Sequence, residues 1–306
     1  MSEASVPDSV KLIVTGGSGF VGTHFRARYG GIPFADHDGR VDLCDAQRVR
    51  SAIAELKPAA VLHLAAQSSV AASFADPAST FSVNFHGTLN LLQALSAAEF
   101  QGVFLYVGSA DVYGRMSEAE LPVREIQPLR PRSPYAVSKV AAEALCYQWS
   151  QTQKNFRIVL TRPFTQIGPG QDSRFAIADF AHQVAEMRSG RRSPIMVTGD
   201  LDVTRDFTDV RDAVRAYHLL LRNGKNGEVY NICSGQERSL RSLVDELLRI
   251  AGVQAEQRGD PARMRPAEQR RMVGDAGRIH AMLGWSPEIS LTTTLTDILR
   301  KAEERV

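Results

Sequence analysis

Tyr135 and Lys139 stand four residues apart at the start of a run, Ala136 to Trp149, that favours helix through Ala141, Ala142, Glu143, Ala144 and Leu145. Ser133 followed by Pro134 suits a helix start, so both side chains should project from one face of the first turns. A phenol held beside an ammonium is expected to fall below the ordinary tyrosine pKa of about 10 and to exchange a proton near neutral pH. Taken alone, the pair is also what a solvated helix face would carry. Its surroundings decide between the two readings.

The elements that would position the pair follow in chain order. Val10 to Thr15 (VKLIVT) reads as a short strand, bounded by Gly16, Gly17, Ser18 and Gly19 and followed by a helix from Phe20 to Tyr29. Glycines at 16, 19 and 22 would allow a tight turn, close approach of backbone to a pyrophosphate at a helix N-terminus, and close helix–strand packing; a plain structural turn is the alternative. A second strand is expected near Ile32 to Ala35. Asp36 and Asp38 then follow about twenty residues after the first glycine, where an acid accepts from a ribose 2′-hydroxyl and indicates NAD. Arg40 lies close enough to meet a 2′-phosphate instead, so the residues leave NAD and NADP both open. Asp42 and Leu43 could flank an adenine, while Asp45 suits the cap of a helix from Ala46 to Leu56.

Ala59 to Ala66 (AAVLHLAA) has the continuous apolar character of a buried parallel strand. His63 within it reads as a satisfied core histidine rather than a ligand. Asp76 and Pro77 should start a helix over Ala78 to Ala97, with Phe81, Phe85, Leu92 and Leu95 along one stripe. The strand Val103 to Val107 delivers Gly108, Ser109, Ala110 and Asp111 to its carboxyl end, the edge of a doubly wound sheet where ligands bind. Phe156 to Thr161 is a further strand, leading into Arg162, Pro163 and Phe164. This alternation predicts the α/β class: a Rossmann-type doubly wound parallel sheet, followed by a smaller, mixed C-terminal substrate-binding lobe. Residues 1–167 should mainly form the dinucleotide-binding part and 168–306 mainly the lobe, with roughly 200–235 returning to the first. Beyond Gly168, helices are expected near Ile177 to Arg188, Val210 to Leu221 and Ser239 to Ala251, and strands at Ile195 to Thr198 and Glu228 to Cys233.

Composition narrows the class. The 306 residues are 43% hydrophobic and 23% charged, with a net charge of +2, so no general attraction to nucleic acid or membrane follows. Cys44, Cys146 and Cys233 are odd in number and lack CxxC spacing, which argues against a disulfide framework or a metal site and fits a reducing cytoplasm. Met1 to Asp8 lack the apolar core of a signal peptide, and no apolar run reaches the roughly 18 residues of a membrane span.

TGGSGFVG at Thr15 to Gly22, SADVYG at Ser109 to Gly114 and YAVSK at Tyr135 to Lys139, in this order and spacing, resemble the extended short-chain dehydrogenase/reductases that act on nucleotide sugars, the NAD-dependent epimerase/dehydratase family. The likeness covers nearly the whole chain. HLAAQSSV at His63 to Val70 is similar to the corresponding stretch of GDP-mannose 4,6-dehydratases. RPFTQIGPGQ, TRDFTDV and GDPARMRPAEQRR look most like the branch that reduces GDP-linked 4-keto-6-deoxy sugars.

The resemblance implies an oxidoreductase using NADP(H) or NAD(H). It assigns cofactor contacts to Gly16, Gly19, Phe20, Val21, Asp42, Leu43, Leu64, Ala65, Ala66, Tyr135, Lys139 and Pro163. Ser109 would bond the substrate oxygen, Tyr135 would donate or accept the proton, and Lys139 would hold the nicotinamide ribose and lower the tyrosine's pKa. Gln67, Ser109, Asp111, Arg205, Arg265 and Glu268 are the implied substrate residues, Arg205 on the diphosphate and Arg265 with Glu268 on the diphosphate and nucleotide ribose; Arg270 and Arg271 read as a solvated basic face. Dehydratases of the family carry glutamate where Asp111 stands, often preceded by aspartate. Here Ala110 precedes it, which favours reduction over elimination and leaves a 4-epimerase as the alternative. Asp111 would orient substrate or bond to nearby backbone. Related enzymes usually carry asparagine where Thr165 stands, which leaves substrate placement near Thr165 and Gln166 open. Family members also commonly dimerise through the helix before Ser109 and the Tyr135 helix, whose Val137, Val140, Ala141 and Ala144 are apolar enough either for that or for the core alone.

Overall fold

The computed structural model describes residues 11–263 and 269–306. Val10, Arg265 and Glu268 lie outside the described residues. The chain divides into two compact units, the first built from the described residues up to Arg115 with Glu125–Pro163 and Val214–Asn231. The second holds Met116–Arg124, Phe164–Ala213 and the described residues of Ile232–Val306.

The first unit is organised by Leu12–Thr15, four buried residues in a row. Such a run has no polar face to turn to water, and it is covered on both edges and both faces. It pairs in parallel with Ala60–His63 on one side, Leu12 opposite Ala60 and Thr15 opposite His63, and with Ile32–Pro33 on the other. Val103–Val107, Arg157–Pro163 and Val229–Ile232 extend the sheet beyond Ala60–His63 to six strands. The chain therefore crosses from one side of Leu12–Thr15 to the other, and the carboxyl ends of Leu12–Thr15 and Ala60–His63 flank the switch point where such sheets bind ligands. Ile13, Val61, Leu91, Leu95, Phe104 and Ile158 join one fully buried apolar cluster.

Two elements depart from the sequence reading for identifiable reasons. The second strand is shorter than expected: after Ile32–Pro33 only the Phe34 N–H still reaches the Val14 carbonyl, at 3.1 Å. Ala35–Asp36 then turns back antiparallel against Gly39–Arg40. The helix expected over Ala78 to Ala97 is broken into Pro77–Phe81, a wide π-turn at Ser82–His86 and Gly87–Ala97. Gly87 lies so close to Leu43 that a Cβ there would sit 2.9 Å from the Leu43 Cβ, and the wide turn directs Asn84 inward.

In the second unit, Thr204–Asp209 is the middle strand of three, between Glu237–Ser239 and Thr165–Ile167. Ile195–Thr198 pairs separately with Glu256–Gly259. Helices Ala176–Arg188, Leu240–Ala251 and Leu291–Glu303 supply its apolar core, with Phe180, Val184, Leu243, Leu247, Leu295 and Ile298 at its centre. Among the described residues no helix is long and apolar enough to cross a membrane.

Candidate active site

Ser133 caps the helix Pro134–Thr152 by accepting from the Ala136 N–H at 3.1 Å, and Pro134 occupies its first turn, where a missing N–H costs nothing. Tyr135 and Lys139 therefore leave one face of a well-started helix, both buried. Ser109 follows the strand Val103–Val107 by two residues and caps the short turn Ala110–Tyr113, its hydroxyl accepting from the Asp111 N–H at 3.1 Å. The Ser109 and Tyr135 side chains hydrogen-bond each other. Serine, tyrosine and lysine are thus gathered at the carboxyl edge of the sheet.

The electrostatics correct one expectation. Burial, and then the charge of Asp111, raise the Tyr135 pKa, and the hydrogen bond from Ser109 offsets this only in part. The Lys139 ammonium has partners of its own. It donates to the Val107 carbonyl at 2.9 Å and lies 5.2 Å from the centre of the Tyr106 ring, while burial lowers its own pKa to about 8. Tyr135 therefore keeps its proton at neutral pH, the form that can donate to a substrate oxygen.

The glycine turn sits beside this group of residues. Gly16 has a φ of +67°, and a Cβ on it would come within 2.8 Å of the Ala65 nitrogen. Gly22 is tighter still, since a Cβ would lie 2.4 Å from the Gly16 carbonyl oxygen. The helix Phe20–Tyr29 starts at Gly19 without a side-chain cap, so no side chain of its own takes the place of an anion at its first turn. A close-approach turn at an uncapped helix start fits the pyrophosphate of a dinucleotide. Behind it, the Ala65 N–H donates to Thr15 Oγ1 at 3.2 Å and Thr15 Oγ1 meets His63 Nδ1 at 2.7 Å. On the other side His63 Nε2 meets Thr88 Oγ1 at 3.0 Å, and Thr88 donates to the Asn84 carbonyl at 2.7 Å. With the Thr88 proton committed, Nε2 must carry the ring hydrogen and Nδ1 must accept. His63 is a neutral core histidine, its pKa pushed to about 3 first by burial and then by Lys139.

The chain as a whole is similar to known proteins. The GDP-mannose 4,6-dehydratase family matches residues 37–298. The chain belongs to this family. Over 300 residues it is 49% identical to the GDP-6-deoxy-D-mannose reductase of Pseudomonas aeruginosa, covering 97% of this chain and 98% of that one. The structure of RMD from Pseudomonas aeruginosa complexed with NADPH is similar with a TM-score of 0.91 at 46% identity, covering 97% of this chain and all of that one (100%). The UDP-glucose 4-epimerase of Thermus thermophilus in complex with NAD reaches 0.84 at 28% identity, with 97% and 100% covered.

The other expected residues of this dehydratase-family chain are distributed as follows. Phe20, Val21, Leu64, Ala65, Ala66 and Pro163 are half-buried at strand ends and the first helix start, and Asp42 is exposed, its carboxylate accepting from the Cys44 N–H at 2.9 Å. Leu43 is buried in the apolar core. Asp45 caps Ala46–Leu56 through the Gln47 and Arg48 N–H groups. Gln67 is committed to its own loop: its amide nitrogen donates to the Ser69 carbonyl at 3.1 Å and to Thr80 Oγ1 at 3.0 Å, and its oxygen accepts from the Ser69 N–H. Asp111 is exposed and Ala110 buried, so the serine turn carries a single carboxylate. In the second unit Arg205 is half-buried on Thr204–Asp209 and donates to the Thr204 carbonyl at 2.7 Å. Arg270 and Arg271 pair with Asp200 and Glu237 at the surface.

Several working residues escaped the sequence reading. Asn84 accepts from the Gln67 N–H at 2.8 Å and donates to Ser138 Oγ at 2.9 Å, and Ser138 donates to the Tyr135 carbonyl at 2.7 Å. It thereby joins the Leu64–Gln67 segment to the tyrosine helix. A lone amide inside an expected apolar stripe was the available signal. Arg48 also went unread: it donates from Nε and Nη2 to both oxygens of Asp36 at 2.8 to 3.1 Å, and the Asp38 N–H adds a further bond at 3.0 Å. Both oxygens of Asp36 are thus engaged by the Arg48 fork and its own loop, and Arg48 places a positive charge on this carboxylate. Asp36, His37 and Asp38 are the one grouping of metal-ligand shape among the described residues, and Arg48 occupies its first member.

Proposed function

We infer that the protein is an NADPH-dependent reductase that converts the 4-keto group of GDP-4-keto-6-deoxy-D-mannose to the hydroxyl of GDP-6-deoxy-D-mannose (GDP-D-rhamnose) in nucleotide-sugar biosynthesis. The observation that carries this reading is full-length likeness to a reductase of that name, joined to a protonated, buried Tyr135 beside Ser109 and Lys139. Bound NADPH supplies the hydride to carbon 4. Ser109 holds the ketone oxygen and Tyr135 gives it a proton, so that ketone, hydride and proton make the secondary alcohol. Lys139 places positive charge beside the reacting oxygen and the nicotinamide ribose. Elimination would need a base to take the proton beside the ketone and an acid to protonate the departing hydroxyl, and with Ala110 before it Asp111 is the one carboxylate on this turn. The pairing of Asp36 with Arg48 supports NADPH over NADH, because the carboxylate that would select a free ribose 2′-hydroxyl is engaged and its charge is balanced.

Arg205, Arg265 and Glu268 remain the proposed contacts to the GDP moiety; a guanidinium fork suits phosphate oxygens. The protein is further proposed to work in the cytoplasm as a homodimer. Val137 and Tyr147 on the tyrosine helix are 40% and 52% exposed, with Ala144 between them at the surface and Val140 and Ala141 half-buried. This face supports pairing with a second copy.

The test is absorbance at the NADPH band with freshly generated GDP-4-keto-6-deoxy-D-mannose, with the product configuration read by NMR and Tyr135→Phe as control. Stoichiometric oxidation that disappears in the variant is expected. Absence of oxidation, with bound NAD and interconversion of 4-hydroxyl epimers, would instead assign a 4-epimerase.

A further inference from the structure

One helical turn beyond Lys139 the same helix carries Glu143 into the interior, its side chain 8% exposed. Residues four apart share a helix face, and a buried carboxylate so placed would be expected to draw the ammonium to itself. The lysine instead lies on the Val107 carbonyl. Glu143 is held by Arg162 of the strand Arg157–Pro163: Nη2 donates to Oε1 at 2.6 Å and Nε to Oε2 at 2.9 Å. This is a bidentate fork that takes both oxygens.

Arg162 reaches further with its remaining nitrogen. Nη1 donates to the Tyr113 hydroxyl and to the Glu125 carbonyl, each at 3.0 Å, and the guanidinium lies 4.9 Å from the Tyr113 ring centre. Tyr113 in turn donates to Asn231 Oδ1 at 2.6 Å. Tyr113 is the last residue of the turn that Ser109 caps. At the start of that turn, Gly108 donates to the Thr161 carbonyl at 2.8 Å, and a Cβ there would stand 2.6 Å from that oxygen and 3.7 Å from Glu143 Oε2. The segment that presents Ser109 and the helix that presents Tyr135 and Lys139 are thus joined through one buried charge pair. Such pairs are weak stabilisers, since apolar replacements of similar volume are often no worse. What this pair does is best sought in where it puts its neighbours.

We propose that Arg162 is a positioning residue of the active site: by taking both oxygens of Glu143 it leaves the Lys139 ammonium free to serve the cofactor and substrate, and through Tyr113 it holds the Ser109 turn against the tyrosine helix. The role in turnover rests on the reductase reading; the role in holding Lys139 does not.

The experiment compares wild type, R162M, R162M/E143Q and Y113F, all checked for folding by circular dichroism, for NADPH binding by fluorescence titration and for kcat and KM with the keto sugar. R162M leaves a buried carboxylate without its partner one turn from Lys139. NADPH should bind at least fivefold more weakly and kcat should fall at least hundredfold, with KM for the sugar within threefold. R162M/E143Q lacks the same arginine but has no carboxylate to trap the lysine, and should recover NADPH affinity to within twofold of wild type and at least tenfold in kcat over R162M. Y113F keeps the charge pair and should lower kcat about tenfold with NADPH affinity unchanged. Equal NADPH affinity and kcat in R162M and R162M/E143Q overturns the proposal, as does wild-type kcat in Y113F. If R162M does not fold, R162K decides: it keeps the charge without the fork, so a kcat at least tenfold below wild type supports the proposal and a wild-type kcat overturns it. Wild type that binds NADPH but leaves the sugar unreduced would remove the reductase reading alone.

Discussion

Replacing Lys139 with methionine should abolish turnover and yet give a more stable protein, and the gain should depend on pH in a way that identifies the buried ammonium as its source. The side chain is 4% exposed, and burial lowers its pKa from the usual 10.5 to about 8. The unfolded chain keeps the usual value. Between about pH 8 and 10.5 the unfolded state therefore binds more protons than the folded one, and wild-type stability rises with pH through that window. Below about pH 8 the lysine is charged in both states and the whole penalty is present. A displacement of this size corresponds to about 3 kcal/mol, at ~1.4 kcal/mol per pH unit. Methionine is unbranched and adapts to the same channel, but it forfeits the bond to Val107 and the contact with the Tyr106 ring, roughly 1 kcal/mol each. The net gain at pH 7 should be about 1 kcal/mol.

Urea unfolding of wild type and Lys139→Met, without added nucleotide, at steps from pH 7 to 11, measures this directly. Groups that titrate in both proteins cancel in the difference between them. The advantage of the variant should shrink and then reverse, closing by about 3 kcal/mol across the series. A difference that stays constant from pH 7 to 11 would refute the reasoning, because it would mean that the folded lysine keeps its ordinary affinity for the proton.

Other expectations follow from the same geometry. The charge of Asp111 helps hold the Tyr135 phenol above its ordinary pKa, so Asp111→Asn should lower that pKa; the alkaline limb of kcat for reduction, where the phenol has lost its proton, should move to lower pH. Arg48→Gln frees the Asp36 carboxylate to accept from a ribose hydroxyl and removes the charge that neutralises it; the preference for NADPH over NADH in kcat/KM should fall by about tenfold or more, corresponding to ~1.4 kcal/mol. Asp206 is fully buried and accepts from the Ser234 N–H and hydroxyl, the Gly235 N–H and the Gly274 N–H; Asp206→Ala removes the acceptor these four donors share, the Gly274 N–H being buried, and should cost about 3 kcal/mol in chemical denaturation.

What could be read from the sequence were the features whose cause is local. Asp45 and Ser133 cap the helices they were expected to cap, because a cap is a contact between residues three apart. The apolar runs at Leu12–Thr15 and Ala60–His63 are strands because a chain apolar on both faces must be covered on both. Ser109, Tyr135 and Lys139 could be named since each stands at a strand end or helix start marked in the residues around it. What spacing could not supply was the pairing of side chains far apart in the chain: Asp36 with Arg48, Glu143 with Arg162, and His63 with Thr15 and Thr88. Nor could it supply burial, and the tyrosine shows the consequence. Reasoning from Lys139 alone lowers the Tyr135 pKa, whereas removal of the phenol from water, with Asp111 close by, raises it. The polar residues inside apolar runs mark where these omissions lie. His63 interrupts AAVLHLAA, Asn84 interrupts an apolar stripe, and Arg162 follows the strand IVLT, and each is buried with partners drawn from another motif. A buried polar group must be answered, and where the local chain offers no answer the partner must come from elsewhere. In this protein it comes each time from a segment that ends beside Ser109, Tyr135 or the glycine turn, which is why the polar residues least explained by their own surroundings are those that fix the geometry of the site.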